Sequence, residues 1–527
     1  MIRNPLRHLT FLAILWYSAA ALGPAVATCR AQSEEVADFK RVYAKKENVK
    51  ERIEAIFTLD GVKGREAAEA LLPCFKDENG DIRNAAAQTL VKNDAPEAVA
   101  LLMETLKKDK VLRPWACLVL GLGARKEARA EVEKLAQAKD ADFSAKYRAA
   151  EALGRMGDPA SIPVLLPLAS DSVADVRIAV ADALGRIKDE TASAGPALIT
   201  LLGDKEWRVR AAAIHSLAVV RTKDALEPLV NIVAGDEGRL IDDAAKTLKT
   251  LTGLDYGGDG PQWKRWLNAY GKDPKYHLPT IQELAKLAAA RQQKAGGTGV
   301  YPDRKITEFL GVKTPSKRVM FIIDVSGSME DLILEKERYK DQNYPGYRKI
   351  DIVKEELART LERLDSKTEF SIVTFATKVR PWKKGQLQQA NVVTKTTAMD
   401  YVRGLEPIGG HSKEELAAAG LGGAANLAEG KTNTHAALLF GLGNPARGVL
   451  TKSDSNNTPP VDTIFFLSDG KPSTGELVDT DDILAAIREA NQKLKITIHV
   501  LAIGEFEKNF MKKLAEENGG VFVDLGK

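Results

Sequence analysis

At 527 residues the chain exceeds what one hydrophobic core ordinarily holds, and about three domains, or one domain beside a repeat array, are expected. With 44% hydrophobic and 28% charged residues it has the make-up of a globular protein. Its formal net charge of +4 falls to +1 when Arg3, Arg7 and Arg30 of the first 31 residues are set aside, which excludes a protein that grips nucleic acid by charge.

Residues 1–31 open on Arg3, Arg7 and His8, run through an apolar stretch from Leu9 to Leu22, and reach small residues at Ala25-Val26-Ala27 and Ala31. That is the layout of a secretory signal peptide, and it predicts an exported protein: periplasmic, secreted or held at the cell surface. The apolar stretch is shorter than the roughly 17 to 25 residues that cross a bilayer, so no membrane span is expected after leader removal; an uncleaved anchor is the competing reading. Val26-Ala27-Thr28-Cys29 looks like a bacterial lipobox apart from Thr28, which leaves lipid attachment at Cys29 as a further option. Cys74 and Cys117 sit in the apolar contexts LLPCF and WACLVL, as buried small hydrophobes do, and their spacing leaves pairing open.

From about residue 45 to 255 one pattern recurs: a charged residue, an Ala-rich helix, a turn with Gly or Asp, and a Leu-rich second helix. Clear copies begin near Arg83, Arg113, Arg148, Arg177 and Arg210, and weaker ones near Arg52 and Asp242. Within a copy, Val176, Val180, Leu184 and Ile187 recur every three or four positions and make one apolar stripe. A two-helix unit cannot bury that stripe alone; stacked units can, and the result is an α-solenoid over residues 40–270. The pattern V-R-x-A-x-A-D-A-L-G at Val176 resembles HEAT repeats of the kind found in phycobilisome-lyase-like proteins, a resemblance that speaks to fold and hardly to function.

The recurrent arginines read as scaffold, pairing with carboxylates of the adjacent repeat, rather than as a ligand-binding row. His215, alone in an apolar helix, reads as packed. Trp263 and Trp266 lie three apart on one helix face after a Gly-rich loop and are expected to cap the solenoid's end. Residues 271–315 read as a linker holding one helix, Ile281 to Lys294, before Thr314-Pro315.

Over residues 316–527 short apolar runs alternate with amphipathic segments. Runs such as VMFIID, FSIVTFA and TIFFLSD are apolar at nearly every residue, which predicts strands covered on both faces: a mostly parallel, doubly wound α/β sheet. In such sheets ligands bind at the carboxyl ends of the central strands, where Asp324 and Asp469 stand. Asp324, Ser326 and Ser328 alternate on a small-residue loop and can converge on one hard cation.

DVSGSM after the first strand, KTNT before a helix and FFLSDG after a middle strand resemble a von Willebrand factor type A domain with a metal ion-dependent adhesion site. The resemblance implies that Asp324, Ser326 and Ser328 supply the first metal loop, Thr432 the second, with Thr434 as fallback, and Asp469 the third. Two carboxylates and three hydroxyls suit Mg²⁺, with Mn²⁺ or Ca²⁺ as alternatives, and leave the ion electrophilic toward an Asp or Glu carboxylate of a protein partner. No general base or nucleophile is patterned beside these residues, so a binding protein is expected rather than an enzyme. His435 reads as rim or packing, and His411 and His499 are isolated. The expectation is therefore an exported interaction protein with the metal site as one surface and the solenoid as a second. The alternatives are a scaffold whose solenoid does the recognising, and a lyase or hydrolase. Two insertions, Asp331 to Arg348 and His411 to Gly430, should flank the metal face.

Overall fold

The computed structural model describes residues 24–187, 193–235, 238–292, 306–333, 344–408, 430–443, 460–469, 471–504 and 507–525. They form two compact units, one running to Lys188 and one built from the described residues after it. Residues 1–23 of the stretch read as a leader, 1–31, and most of both insertions, residues 334–343 and 409–429, lie outside the described residues, and so does the question of whether the second insertion covers the metal loops.

In the first unit, helices α1 (Val49–Phe57), α2 (Gly80–Val91), α3 (Arg113–Leu122), α4 (Phe143–Met156) and α5 (Ala174–Arg186) are the first helices of five repeats. Arg65–Leu71, Pro96–Lys108, Arg129–Gln137 and Ile162–Leu165 are second helices. The stripe of Val176, Val180, Leu184 and Ile187 is buried as its spacing predicts. Polar side chains start the helices: Asn79 accepts from the backbone of Asp81 and Ile82, and Asp142 accepts from Ala145 N at 2.8 Å. The glycines in LGLG and ALGRMG have a packing role. A Cβ on Gly121 would stand 2.7 Å from Ala152 Cα, and one on Gly154 would stand 2.6 Å from Ala183 Cα. Successive first helices thus touch backbone to backbone.

The arginine row is scaffold, by more than one device. Arg113 reaches Asp140 of the following repeat at 3.1 Å, as inter-repeat pairing requires. Arg83 donates to the carbonyls of Asp77 and Glu78, Arg177 to those of Asp171 and Ser172, and Arg148 meets Glu151 of its own helix. Cys74 and Cys117 are buried free thiols.

The second unit holds two more first helices, α6 (Trp207–Val220) and α7 (Leu240–Thr252), with second helices Gly195–Leu201, Leu226–Gly235 and Gly260–Trp266. Trp263 is fully buried, edge-on to Tyr256 and Trp266, and its Nε1 donates to Gly257 O at 2.9 Å, so these aromatics close the last repeat on one another. His215 corrects its reading: it lies on the exposed side of α6, with Nε2 3.4 Å from the buried Asp243.

The rest of the second unit is a sheet domain. A hairpin of β1 (Thr307–Phe309) and β2 (Val312–Thr314) leads into β3 (Arg318–Asp324), helix α8 (Lys349–Arg363), β4 (Glu369–Phe375), and the short edge strands β5 (Val379–Pro381) and β6 (Gln388–Gln389). Helix α9 (Val392–Arg403), α10 (Thr434–Gly441), β7 (Thr463–Ser468), α11 (Thr480–Asn491), β8 (Thr497–Ala502), α12 (Lys508–Glu517) and β9 (Phe522–Asp524) follow. The sheet runs β5-β4-β3-β7-β8-β9, parallel from β4 to β9, with β5 and β6 antiparallel to β4. The chain leaves β3 toward β4 on one side and returns to β7 on the other, so the topological switch lies between β3 and β7.

Alternate residues of β3 serve two cores: Val319, Phe321 and Ile323 face one, Met320 and Ile322 the other, all buried. The hairpin falls within the stretch read as linker, yet Phe309 is fully buried with its ring edge-on to Phe321 at 5.3 Å and Phe465 at 5.7 Å. Leu310 and Gly311, at φ 49° and 83°, form its two-residue turn, and a leucine at positive φ gives no turn signal in a sequence.

Candidate metal centre

Asp324 is the last residue of β3 and Asp469 the first after β7, and the two strands pair in parallel with Ile323 opposite Leu467. Register alone therefore sets both carboxylates at one end of the sheet. Immediately past β3 the chain turns tightly, because Ser326 N donates to Asp324 Oδ1 at 2.8 Å and Gly327–Glu330 closes a single 3₁₀ turn pinned by the buried Met329.

Three loops meet here. Ser326 Oγ and Ser328 Oγ lie 3.3 Å apart, Ser328 Oγ donates to Asp469 Oδ1 at 2.8 Å, and Ser468 Oγ donates to Asp324 Oδ2 at 2.5 Å. The second loop joins through its backbone. Gly327 N donates to Gly430 O at 3.1 Å, Asn433 N to Ala376 O at 3.0 Å, and Thr432 exchanges bonds with Ser473 at both N and O. Asp324, Ser326, Thr432 and Asp469 are buried, and Ser328 is half-buried. Thr434, the first residue of α10, is buried with its Oγ1 unpaired among the described residues. His435 packs beneath, with Nδ1 4.0 Å from Glu476.

Two carboxylates share this buried end of the sheet. Burial, with Asp469 alongside, pushes the Asp324 carboxyl up to about 7. Burial also raises Asp469, although the Lys349 ammonium draws it down. That ammonium, 2.6 Å from Asp469 Oδ2, went unnoticed in the sequence, as did Ser468 and Ser473. A signal was there for Lys349: it is the first residue of α8, where the helix dipole disfavours a positive charge, so a specific partner is implied. Among the described residues no group of three or more His, Cys, Asp or Glu is placed to share a metal, so a cation here rests on two carboxylates and hydroxyls. That set is the hard-oxygen chemistry of Mg²⁺.

Family comparisons agree with both halves. Residues 39–121, 132–195 and 168–249 match the model for HEAT repeats, and residues 346–524 match that of the von Willebrand factor type A domain. The chain carries HEAT repeats followed by a von Willebrand factor type A domain. Inter-alpha-trypsin inhibitor heavy chain H1 of Mesocricetus auratus is 29% identical over 209 residues, 39% of this chain and 18% of that protein. The chain thus spans under a fifth of that relative's length. Among solved structures, the von Willebrand factor type A protein from Catenulispora acidiphila is 20% identical at a TM-score of 0.27, covering 40% of this chain and 39% of that one. The complex of CpcE and CpcF of phycocyanin lyase from Nostoc sp. PCC7120 is 21% identical at a TM-score of 0.27, covering 45% of this chain and 94% of that one. No functional argument rests on scores that low. HEAT repeats and the A domain are protein-interaction modules, and together they indicate an interaction protein. No helix among the described residues is long and apolar enough to cross a membrane.

Proposed function

We propose that this is an exported interaction protein whose A domain holds Mg²⁺ on Asp324, Ser326, Ser328, Thr432 and Asp469 and presents it to an Asp or Glu carboxylate of a partner protein. The observation that carries the reading is the pair of buried carboxylates at the β3–β7 switch, both raised by burial and bridged by serine hydroxyls. A hard divalent ion would offset the burial and mutual repulsion of two carboxylates, and so few charged ligands would leave it electrophilic. Binding, not turnover, is the function proposed. The partner's carboxylate would bind the ion where the protein leaves it open, and the repeats add a second surface. The basic, apolar and small-residue order of residues 1–31 supports export.

The test is affinity capture in Mg²⁺ with wild type, Asp324→Ala and Asp469→Ala, each checked for folding by circular dichroism. The expected outcome is that the captured partner is lost with either variant and with EDTA. Retention of the same partner under all three treatments overturns the reading.

A further inference from the structure

We infer that Lys349 is a built-in monovalent cation that loosens the centre's hold on a divalent ion and strengthens the bound ion's pull on a carboxylate; this rests on the metal-binding reading above. Lys349 contributes nothing evident to starting α8, where Arg348 donates to the Asp351 carboxylate through its backbone N and its guanidinium. Its stem instead runs past Gly504, at φ +86°, where a Cβ would come within 2.6 Å of Lys349 Cε. Positive φ favours glycine at that position, and its missing Cβ leaves room for the lysine stem.

At the end of the passage the ammonium, on a residue 7% exposed, sits 2.6 Å from Asp469 Oδ2 and 3.3 Å from Ser328 O. Asp469 Oδ1 accepts from Ser328 Oγ, so Lys349 occupies the carboxylate oxygen turned away from the hydroxyl cluster. Among the described residues the other charged group facing the ammonium is Asp331, 3.6 Å away, whose side chain is 67% exposed and screened by water. With both carboxylates ionised, as metal binding requires, they and the one buried ammonium leave a single negative charge. A divalent ion converts that to a net positive charge, whereas without Lys349 the loaded centre is neutral. Repulsion across one carboxylate, in a buried site, opposes the metal. The same excess charge attracts an anionic ligand to the metal's open position.

A lysine that served only to orient Asp469 makes the opposite prediction, because its loss then weakens metal binding. Calorimetric titration of the full chain with Mn²⁺ separates the two, using wild type, Lys349→Met, Lys349→Gln, Lys349→Arg and Asp324→Ala. A following titration with acetate at saturating Mn²⁺ reads the open position. We expect the neutral variants to bind Mn²⁺ about tenfold or more tighter and acetate several-fold weaker, with Lys349→Arg within about threefold of wild type. Unchanged or weaker Mn²⁺ binding by the neutral variants, or an Arg variant that moves with them, overturns the inference and leaves the metal reading standing. Failure of both neutral variants to fold assigns Lys349 to folding and overturns it too. Wild type that binds Mn²⁺ no better than Asp324→Ala sinks the metal reading itself.

Discussion

His499 shows at the scale of one residue how burial sets pH behaviour. It lies in β8, stacked on Phe465 at 5.0 Å, and its Nδ1 accepts from Val521 N at 3.1 Å. Burial, then the nearby cations Lys246 and Arg239, drive the imidazole down to about 3. The folded chain refuses a proton that the unfolded chain takes at an ordinary histidine pKa of about 6.5. The contribution of neutral His499 is therefore whole above about pH 6.5 and is lost progressively as pH falls toward 3, by up to about 1.4 kcal/mol per pH unit. His499→Gln keeps an acceptor for Val521 N and cannot titrate. Thermal unfolding between pH 7 and pH 4 should show a shallower acid decline for the variant than for wild type; parallel curves contradict this account.

Among the elements, the solenoid rests on close approach. Placing alanine for glycine inside a helix ordinarily stabilises by roughly 0.5–1 kcal/mol. Gly154 reverses that sign, because the added Cβ meets backbone of α5 at 2.6 Å and neither helix can yield alone. Gly154→Ala is expected to destabilise by about 1–3 kcal/mol, measured by urea unfolding. In the sheet domain, Phe309→Ala should cost about 3–5 kcal/mol, since it empties a fully buried site between Phe321 and Phe465. A loss below about 1 kcal/mol would return the hairpin to linker status.

These elements also show what was legible beforehand. The seven first helices of the repeats and the strands β3, β4, β7 and β8 were readable, because apolar period directly records which faces are covered. Asp324 and Asp469 were readable as neighbours because strand ends locate a ligand site in a parallel sheet. The hairpin was not, since three-residue strands carry too little pattern and Leu310 hides the turn. Nor was His215 placed correctly: an Ala-rich helix has a weak apolar stripe, and its exposed side is not marked by composition. Lys349 escaped because its partner lies 120 positions away, a separation that no local periodicity encodes.

At the largest scale, the described contacts of the second unit join repeats to sheet at one end of the strands. Arg239 donates to Lys495 O, just before β8, and Lys246 Nζ donates to Gly519 O at 2.8 Å, just before β9. The Trp207 ring of α6 meets the guanidinium of Arg239 at 5.4 Å and that of Arg318, the first residue of β3, at 5.5 Å. The site residues gather at the opposite, carboxyl ends. β3 is thus tied to the repeats at Arg318 and ends in Asp324, seven residues in all. A pull applied at Asp324 and resisted at Trp207 runs along β3, and its pairings with β4 and β7 are loaded in shear. Under such a load the hydrogen bonds of a strand must give way together instead of one after another, so on the proposed function the central strand would carry the load between a bound partner and helices α6 and α7.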